Sequence, residues 1–543
     1  MTSLEGGRTV RVLERGQDGA GVGAAWIFTG LAYLILLAPF LCARIPPLVD
    51  YPNHLARFWV IASKGGTGAA AQFYGLDWSL AATNVGVDRT VAMLAPLVAP
   101  SSVAHTALIL AVLLTPVGAA ALNGTLFRGP STWWAMLPIA SWPSTLLLGF
   151  LNFQIGLGLA LAFAAADAIV QRRRPAAAIV LRVGFAAVLI QAHLLDLLFY
   201  AALVAAVAFG AERLELRTWG PLARRLGRAA GAAAWCLAPF GAFLLFAHAL
   251  PAFGGREGLR FGSFTAKLRA LASPVIGYDV LLDLGLALTA GALIVGLARR
   301  RGLQVHAGLA TAAGAFLALA VLAPDEIGDS SWLDARFALM SLLCLLTGLS
   351  LAPRAGAREA RTLAFAALAV ISARTAGVAW GWTQMEPQLA ATKHAIAKLP
   401  MGARVLPLQH RPTARVRLNA SAGRYLFNLG DATFSHYPLL AVPMRQAFVP
   451  TMFALRGKQP VEIRPALAAC SAPDGGRLPS VNSLGRRPDA KDPAYMSRWR
   501  SCFDFILVLN ADLPDADGAF VPPPGVTLVA DRGFAQLWRI SAR

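Results

Sequence analysis

The sequence predicts a mainly α, polytopic transmembrane helical bundle of about eleven spans, followed by a C-terminal extracytoplasmic α/β domain. Three observations predict it. The chain is 56% hydrophobic and only 14% charged, whereas an ordinary soluble domain is about 25% charged. Apolar runs of membrane-spanning length recur from residue 24 to residue 382. From residue 383 these runs stop, and charge and proline rise. The expected division is therefore a membrane domain over 1–382 and a second domain over 383–543.

Taken in order, the apolar runs place spans at 24–43, 104–122, 132–148, 151–170, 177–192, 194–210, 231–250, 276–298, 305–323, 336–352 and 361–382. The first run is not followed by a cleavage-site pattern, so it is expected to stay as an anchor. The pieces 177–192 and 194–210 are short enough to be one long helix instead of two. The run 85–99, "VGVDRTVAMLAPLVAP", is too short for a span and carries Asp88 and Arg89. It reads as an amphipathic helix lying in the outer interface.

The net charge of +20 suggests nucleic acid until the charges are placed. Arginines cluster between apolar runs, as in Arg172–Arg173–Arg174, Arg224–Arg225 and Arg299–Arg300–Arg301. Cytoplasmic loops look like this under the positive-inside rule. A cytoplasmic N-terminus with eleven spans puts these runs inside, together with Arg8, Arg11, Arg15, Arg128, Arg213, Arg217, Arg354 and others. Counting 85–99 as a span would move Arg172 to Arg174 outside.

The same topology gathers the span-end acids on the outer side: Asp50, Asp196, Asp279, Asp283, Asp325, Glu326, Asp329 and Asp334. His54, His105, His193, Asn152 and Gln154 fall there too. Polar groups at membrane depth are costly and usually line a cavity or pathway. Acids at helix starts also act as caps, and Asp279 and Asp283 fit that role well. His193 and Asp196 share a tight turn, where hydrogen-bonding the turn is an equal reason for their presence.

The tail has its own elements. "ATKHAIAKLPMGARVLPL" reads as helix, Gly turn and strand; "FDFILVLN" reads as a strand; "GVTLVADRGFAQLWRI" reads as a hairpin. It holds no G-x-G-x-x-G, P-loop or nucleophile elbow. The stretch "DATFSHYPLLAVPMRQAFVPTMF" carries His436, Tyr437 and Arg445, either as a lid over a site or as a packing loop. Cys42, Cys236 and Cys344 lie in apolar runs as packing residues. Cys470 and Cys502 can form a disulfide if the tail is extracytoplasmic. No C-x-x-C motif or His/Cys cluster marks a metal.

Two polar constellations remain. In "PPLVDYPNHLAR", Asp50, Asn53, His54 and Arg57 are spaced i, i+3, i+4, i+7, one face of a helix that Pro52 would open. Asp50 can accept a proton there, and Asn53, His54 and Arg57 add donors for a phosphate. In "PDEIGDSSWLDARFALM", Asp334 and Arg336 enter a span beside Trp332 and Phe337. Arg336 can anchor a lipid phosphate or snorkel to the headgroups.

With these residues in view, the layout resembles the GT-C superfamily of integral-membrane glycosyltransferases. The resemblance rests on the acid of "PPLVDYPNH", the long loop 44–103, "LDARF" at 333–337 and the C-terminal outer domain. It implies a multi-pass protein of a bacterial inner membrane. It implies inverting transfer of a hexose or pentose from a polyprenyl-phosphate-linked donor to a glycan, lipid or protein hydroxyl on the outer face. Asp50 would be the base; His54, Arg57, Asn53, His193, Asp196, Arg336 and Asp334 would bind substrate or lipid phosphate. Many relatives carry a second acid beside the first; here Tyr51 stands there, so Asp77 or Asp88 would have to fill that place, and a divalent cation is an open requirement. A transporter or flippase would also need polar groups at depth, but would normally show repeats or broken helices, which this sequence lacks. A polysaccharide ligase or polymerase, or an inactive assembly subunit, would share the layout.

Overall fold

The computed structural model describes residues 19–81, 83–210, 219–247, 258–328, 330–353, 355–428, 430–484 and 492–541. Asp329 lies outside them, as do Arg8, Arg11, Arg15, Arg213, Arg217 and Arg354 of the charge count and the end of the span 231–250.

Helix α1 (Gly19–Leu36) ends in a 3-10 turn, and a short extended stretch leads to α2 (Tyr51–Ala62). α3 (Gly86–Leu94) completes the first loop before α4 (Pro100–Phe127). α3 is nine residues long; Val87, Asp88 and Val91 face inward, while Met93, Leu97 and Val98 are exposed. This is the one-sided helix expected at 85–99.

The segment 132–148 departs from expectation. It is a 3-10 helix over Thr132–Ala140, a break at Pro143, then the single turn α5 (Ser144–Leu147). Prolines at 138 and 143 prevent a continuous α-helix. Yet the segment runs between the two ends of the bundle. Near its start Trp133 donates to the Leu346 carbonyl, and beyond its end Leu148 accepts from the Asp50 N–H. Every residue from Thr132 to Leu148 is buried. Irregular backbone is tolerated at membrane depth only when protein surrounds it. Hydropathy cannot distinguish such a plug from a span.

The remaining runs are helices. They are α6 (Leu151–Arg173), α7 (Pro175–Ala192), α8 (Leu194–Gly210), α9 (Trp219–Ala247), α10 (Phe264–Ala272), α11 (Val280–Arg299), α12 (Ala307–Leu322), α13 (Leu333–Thr347) and α14 (Ala357–Ile396). Seven helices among the described residues are long and apolar enough to cross a membrane, and α8 and α12 are shorter apolar helices. α7 and α8 are separate, because His193 is extended between them. Asp279 caps α11 by accepting from Leu281 and Leu282. Asp283 pairs with Arg374 at 2.5 Å.

α14 runs through the expected boundary at 382 without a break. At 40 residues it is about 60 Å long, roughly twice the hydrocarbon thickness of a bilayer. Beyond it lies a four-stranded sheet in the order Val526–Asp531, Ala535–Ile540, Phe505–Leu509, Val405–Gln409. The last pair is parallel and the others antiparallel. Helix, Gly402 turn, strand and hairpin all occur where the sequence placed them. Cys470 and Cys502 are disulfide-bonded.

The first loop and the tail are stitched together. Tyr74–Leu76 pairs antiparallel with Val461–Ile463. The Tyr74 hydroxyl accepts from the Val449 N–H at 3.0 Å.

Candidate functional site

Asp50 stands at the N-terminus of α2, but its carboxylate makes no capping bond. Its backbone N–H donates to Leu148 at 2.9 Å. Gly149 has φ +99°, and a Cβ there would lie 2.8 Å from the Asp50 Cβ, so only glycine permits this approach. The His54 Nε2–H donates to the Gly149 carbonyl at 2.9 Å. His54 therefore holds the turn that backs Asp50.

The Asn53 amide is fully committed. Its Oδ1 accepts from Phe453 N–H at 3.0 Å, and its Nδ2 donates to the Thr451 carbonyl at 2.9 Å and to His436 Nδ1 at 3.3 Å. These partners fix the amide orientation. His436 Nδ1 is thus the acceptor, and its proton sits on Nε2. That nitrogen faces Asp50 Oδ1 at 3.5 Å. Burial lowers the His436 pKa to about 4, so a neutral imidazole presents an N–H to the carboxylate.

Burial pushes Asp50 up to about 7, against the opposing pull of Arg57 and Arg336; the negative charge of Asp431 adds to the rise. Its side chain remains 18% exposed. A carboxyl near neutrality with access to solvent suits a general base.

Arg57 does not face the opening. Its Nε and Nη2 reach Asp88 at 2.6 and 3.2 Å, and both residues are buried. This bidentate pair joins α2 to α3 and engages the whole Asp88 carboxylate and two of the three Arg57 nitrogens, leaving Nη1 without a hydrogen-bond partner. Asp77 is not a second acid. It is exposed and caps a turn, accepting from the Ser79 N–H and hydroxyl, and these bonds lower its pKa. The acid whose charge Asp50 feels is Asp431. Two further expectations give way. Asp334 pairs with Lys267 at 3.1 Å, which fastens α10 to α13. Arg445 hydrogen-bonds the Ala397 carbonyl beyond the end of α14 and touches none of the cluster.

Of the predicted cations, Arg336 has no carboxylate in contact among the described residues. Its guanidinium lies 4.5 Å over the Phe150 ring and 5.1 Å over the Phe153 ring. Its Nη1 contacts His193 Nε2 at 2.8 Å, and its Nε has no hydrogen-bond partner. Among the described residues no carboxylate touches it. Asp196 is wholly buried, and neither carboxylate oxygen has a hydrogen-bond partner. It packs so closely against Gly156 that a Cβ there would collide with Oδ2. Asp196 lies near Arg336 without touching it and offers a phosphate no cationic group.

The ends of α2, α6, α7, α8 and α13 thus converge with the loop 431–453 around Asp50 and Arg336, which lie close enough for each charge to act on the other. Sequence reasoning missed Gly149, Phe150, Phe153 and Asp431. The pairing of Phe150 and Phe153 around Asn152 was its available signal. The donor set does not fit a divalent cation: Asp50 faces an N–H and two cationic fields, and no three His, Cys, Asp or Glu side chains converge among the described residues.

No protein-family model matches the chain, and no curated protein matches it. The crystal structure of ArnT from Cupriavidus metallidurans bound to undecaprenyl phosphate is similar, at 13% identity and a TM-score of 0.48, over 96% of this chain and 98% of that chain.

Proposed function

We propose that the protein is an integral-membrane glycosyltransferase of the GT-C type, moving a hexose or pentose from a polyprenyl-phosphate donor to an acceptor hydroxyl on the outer face. The observation that carries this is the pairing of two unlike groups close enough to act on each other's charge. Asp50 is a carboxylate poised near pH 7, and Arg336 is a buried cation with no carboxylate in contact.

Asp50 takes the proton of the acceptor hydroxyl as its oxygen attacks the anomeric carbon. The bond from that carbon to the phosphate oxygen breaks, and the electron pair leaves with the lipid phosphate. Arg336 stabilises the charge that develops there. The His436 N–H orients the carboxylate. One displacement inverts the anomeric carbon and leaves no covalent enzyme intermediate. The disulfide Cys470–Cys502 supports an oxidising side for this end of the molecule. So does the placement of Arg128, Arg172 to Arg174 and Arg299 to Arg301 at the far ends of α4, α6 and α11.

Proteoliposomes carrying labelled polyprenyl-phosphate sugar and membrane-extract acceptors test the reading. Wild type should transfer label. Asp50→Asn should lose transfer while keeping its yield and melting temperature. Full activity in that variant, or label crossing the bilayer without transfer, would overturn the assignment.

A further inference from the structure

A cavity of about 410 Å³ lies away from the Asp50 opening. One wall is the chain leaving α1, Phe40 to Arg44; the other is one face of α14, with Glu386, Leu389 and Lys393 at spacing i, i+3, i+7. The lining is amphiphilic. Phe40, Leu41 and Leu389 are apolar, and Leu41 is 91% exposed where the first span ends. Arg44, Lys393 and Glu386 are charged, and among the described residues none of the three forms an ion pair.

Two cations and one carboxylate without protein partners around an apolar floor match a headgroup that carries both signs.

We propose that this cavity binds an aminophospholipid of the outer leaflet, with Arg44 and Lys393 on its phosphate and Glu386 on its ammonium group. The proposal needs this end of the bundle to lie outside; it does not need the transfer chemistry.

The protein carries its own reporter. Cys42 lines the cavity and is exposed, while the other free cysteines, Cys236 and Cys344, are buried. Maleimide labelling of Cys42 in the full-length protein in detergent can be followed with phosphatidylethanolamine, phosphatidylglycerol or inorganic phosphate added. Phosphatidylethanolamine should slow labelling at lower concentration than phosphatidylglycerol, and inorganic phosphate should not slow it. Arg44→Gln and Lys393→Gln should each raise the protecting concentration by about tenfold, the scale of one hydrogen bond to a charged group. Glu386→Gln should erase the preference between the two lipids. Equal protection by both lipids in wild type would overturn the proposal. So would unchanged protection in the Arg44→Gln/Lys393→Gln double variant, or protection by phosphate alone. Labelling is read without turnover, so loss of transfer activity and loss of lipid binding are separate results.

Discussion

Arg57 and Arg336 began as equivalent candidates for a lipid phosphate, and the fold treats them oppositely. Arg57 is clamped by Asp88 in a buried bidentate pair that joins two helices. Arg336 rests on two phenyl faces and an imidazole, with no carboxylate in contact among the described residues. The difference teaches that an arginine's availability is set by whether a carboxylate reaches its fork. A guanidinium on aromatic faces keeps its donors for an incoming anion; one in a bidentate pair has committed two of its nitrogens to a carboxylate.

The contrast can be broken in order of expected effect. Arg336→Gln should lower kcat by about a hundredfold or more, as loss of a preorganised donor to a leaving oxyanion does, with melting temperature near wild type. Arg57→Ala should act on stability instead. It leaves Asp88 buried without a partner and should cost about 3–5 kcal/mol. Arg57→Met with Asp88→Leu should recover most of that loss. If Arg57→Ala stays stable but loses only activity, the two arginines are not distinct.

The pH profile offers a finer test. With Asp50 at about 7 in the folded protein, kcat/KM should rise with pH through about 7 and level off above it. Arg336 lowers that pKa, so Arg336→Gln should move the limb to higher pH. The stability linkage has the opposite sense. The folded state holds this proton more tightly than the unfolded chain. Its contribution is therefore full in acid and lost as pH rises through about 7. The smallest effect belongs to Asp77→Ala. Turnover should match wild type, because that side chain only caps an exposed turn; a large loss would restore it as the second acid.

What could be read ahead of the structure follows from range. Most helices were legible because apolar runs of span length have few other solutions. The hairpin at 526–540 was legible because Asp531–Arg532–Gly533 is a local turn signal. The plug 132–148 was misjudged because a buried irregular strand of chain and a lipid-facing helix have the same hydropathy. Asp50 stood out by its place at the end of the first span. Its surroundings did not. Asn53 meets His436 across 383 residues, and nothing local announces that contact. Even the pairing of Arg57 with Asp88, 31 residues apart, depends on how the loop folds back.

The stitching of the first loop to the tail has a consequence for biogenesis. Tyr74–Leu76 finds its strand partner only at Val461–Ile463, and Asn53 finds its acceptor at Thr451. A ribosome makes these late residues last, after every apolar run has been threaded. Until then Asp50 lacks its imidazole, and the opening has no wall on that side. A nascent chain halted after α14 and before residue 436 would sit in the membrane with its helices inserted and its chemistry unassembled, so insertion and activation are separate events in the life of the protein.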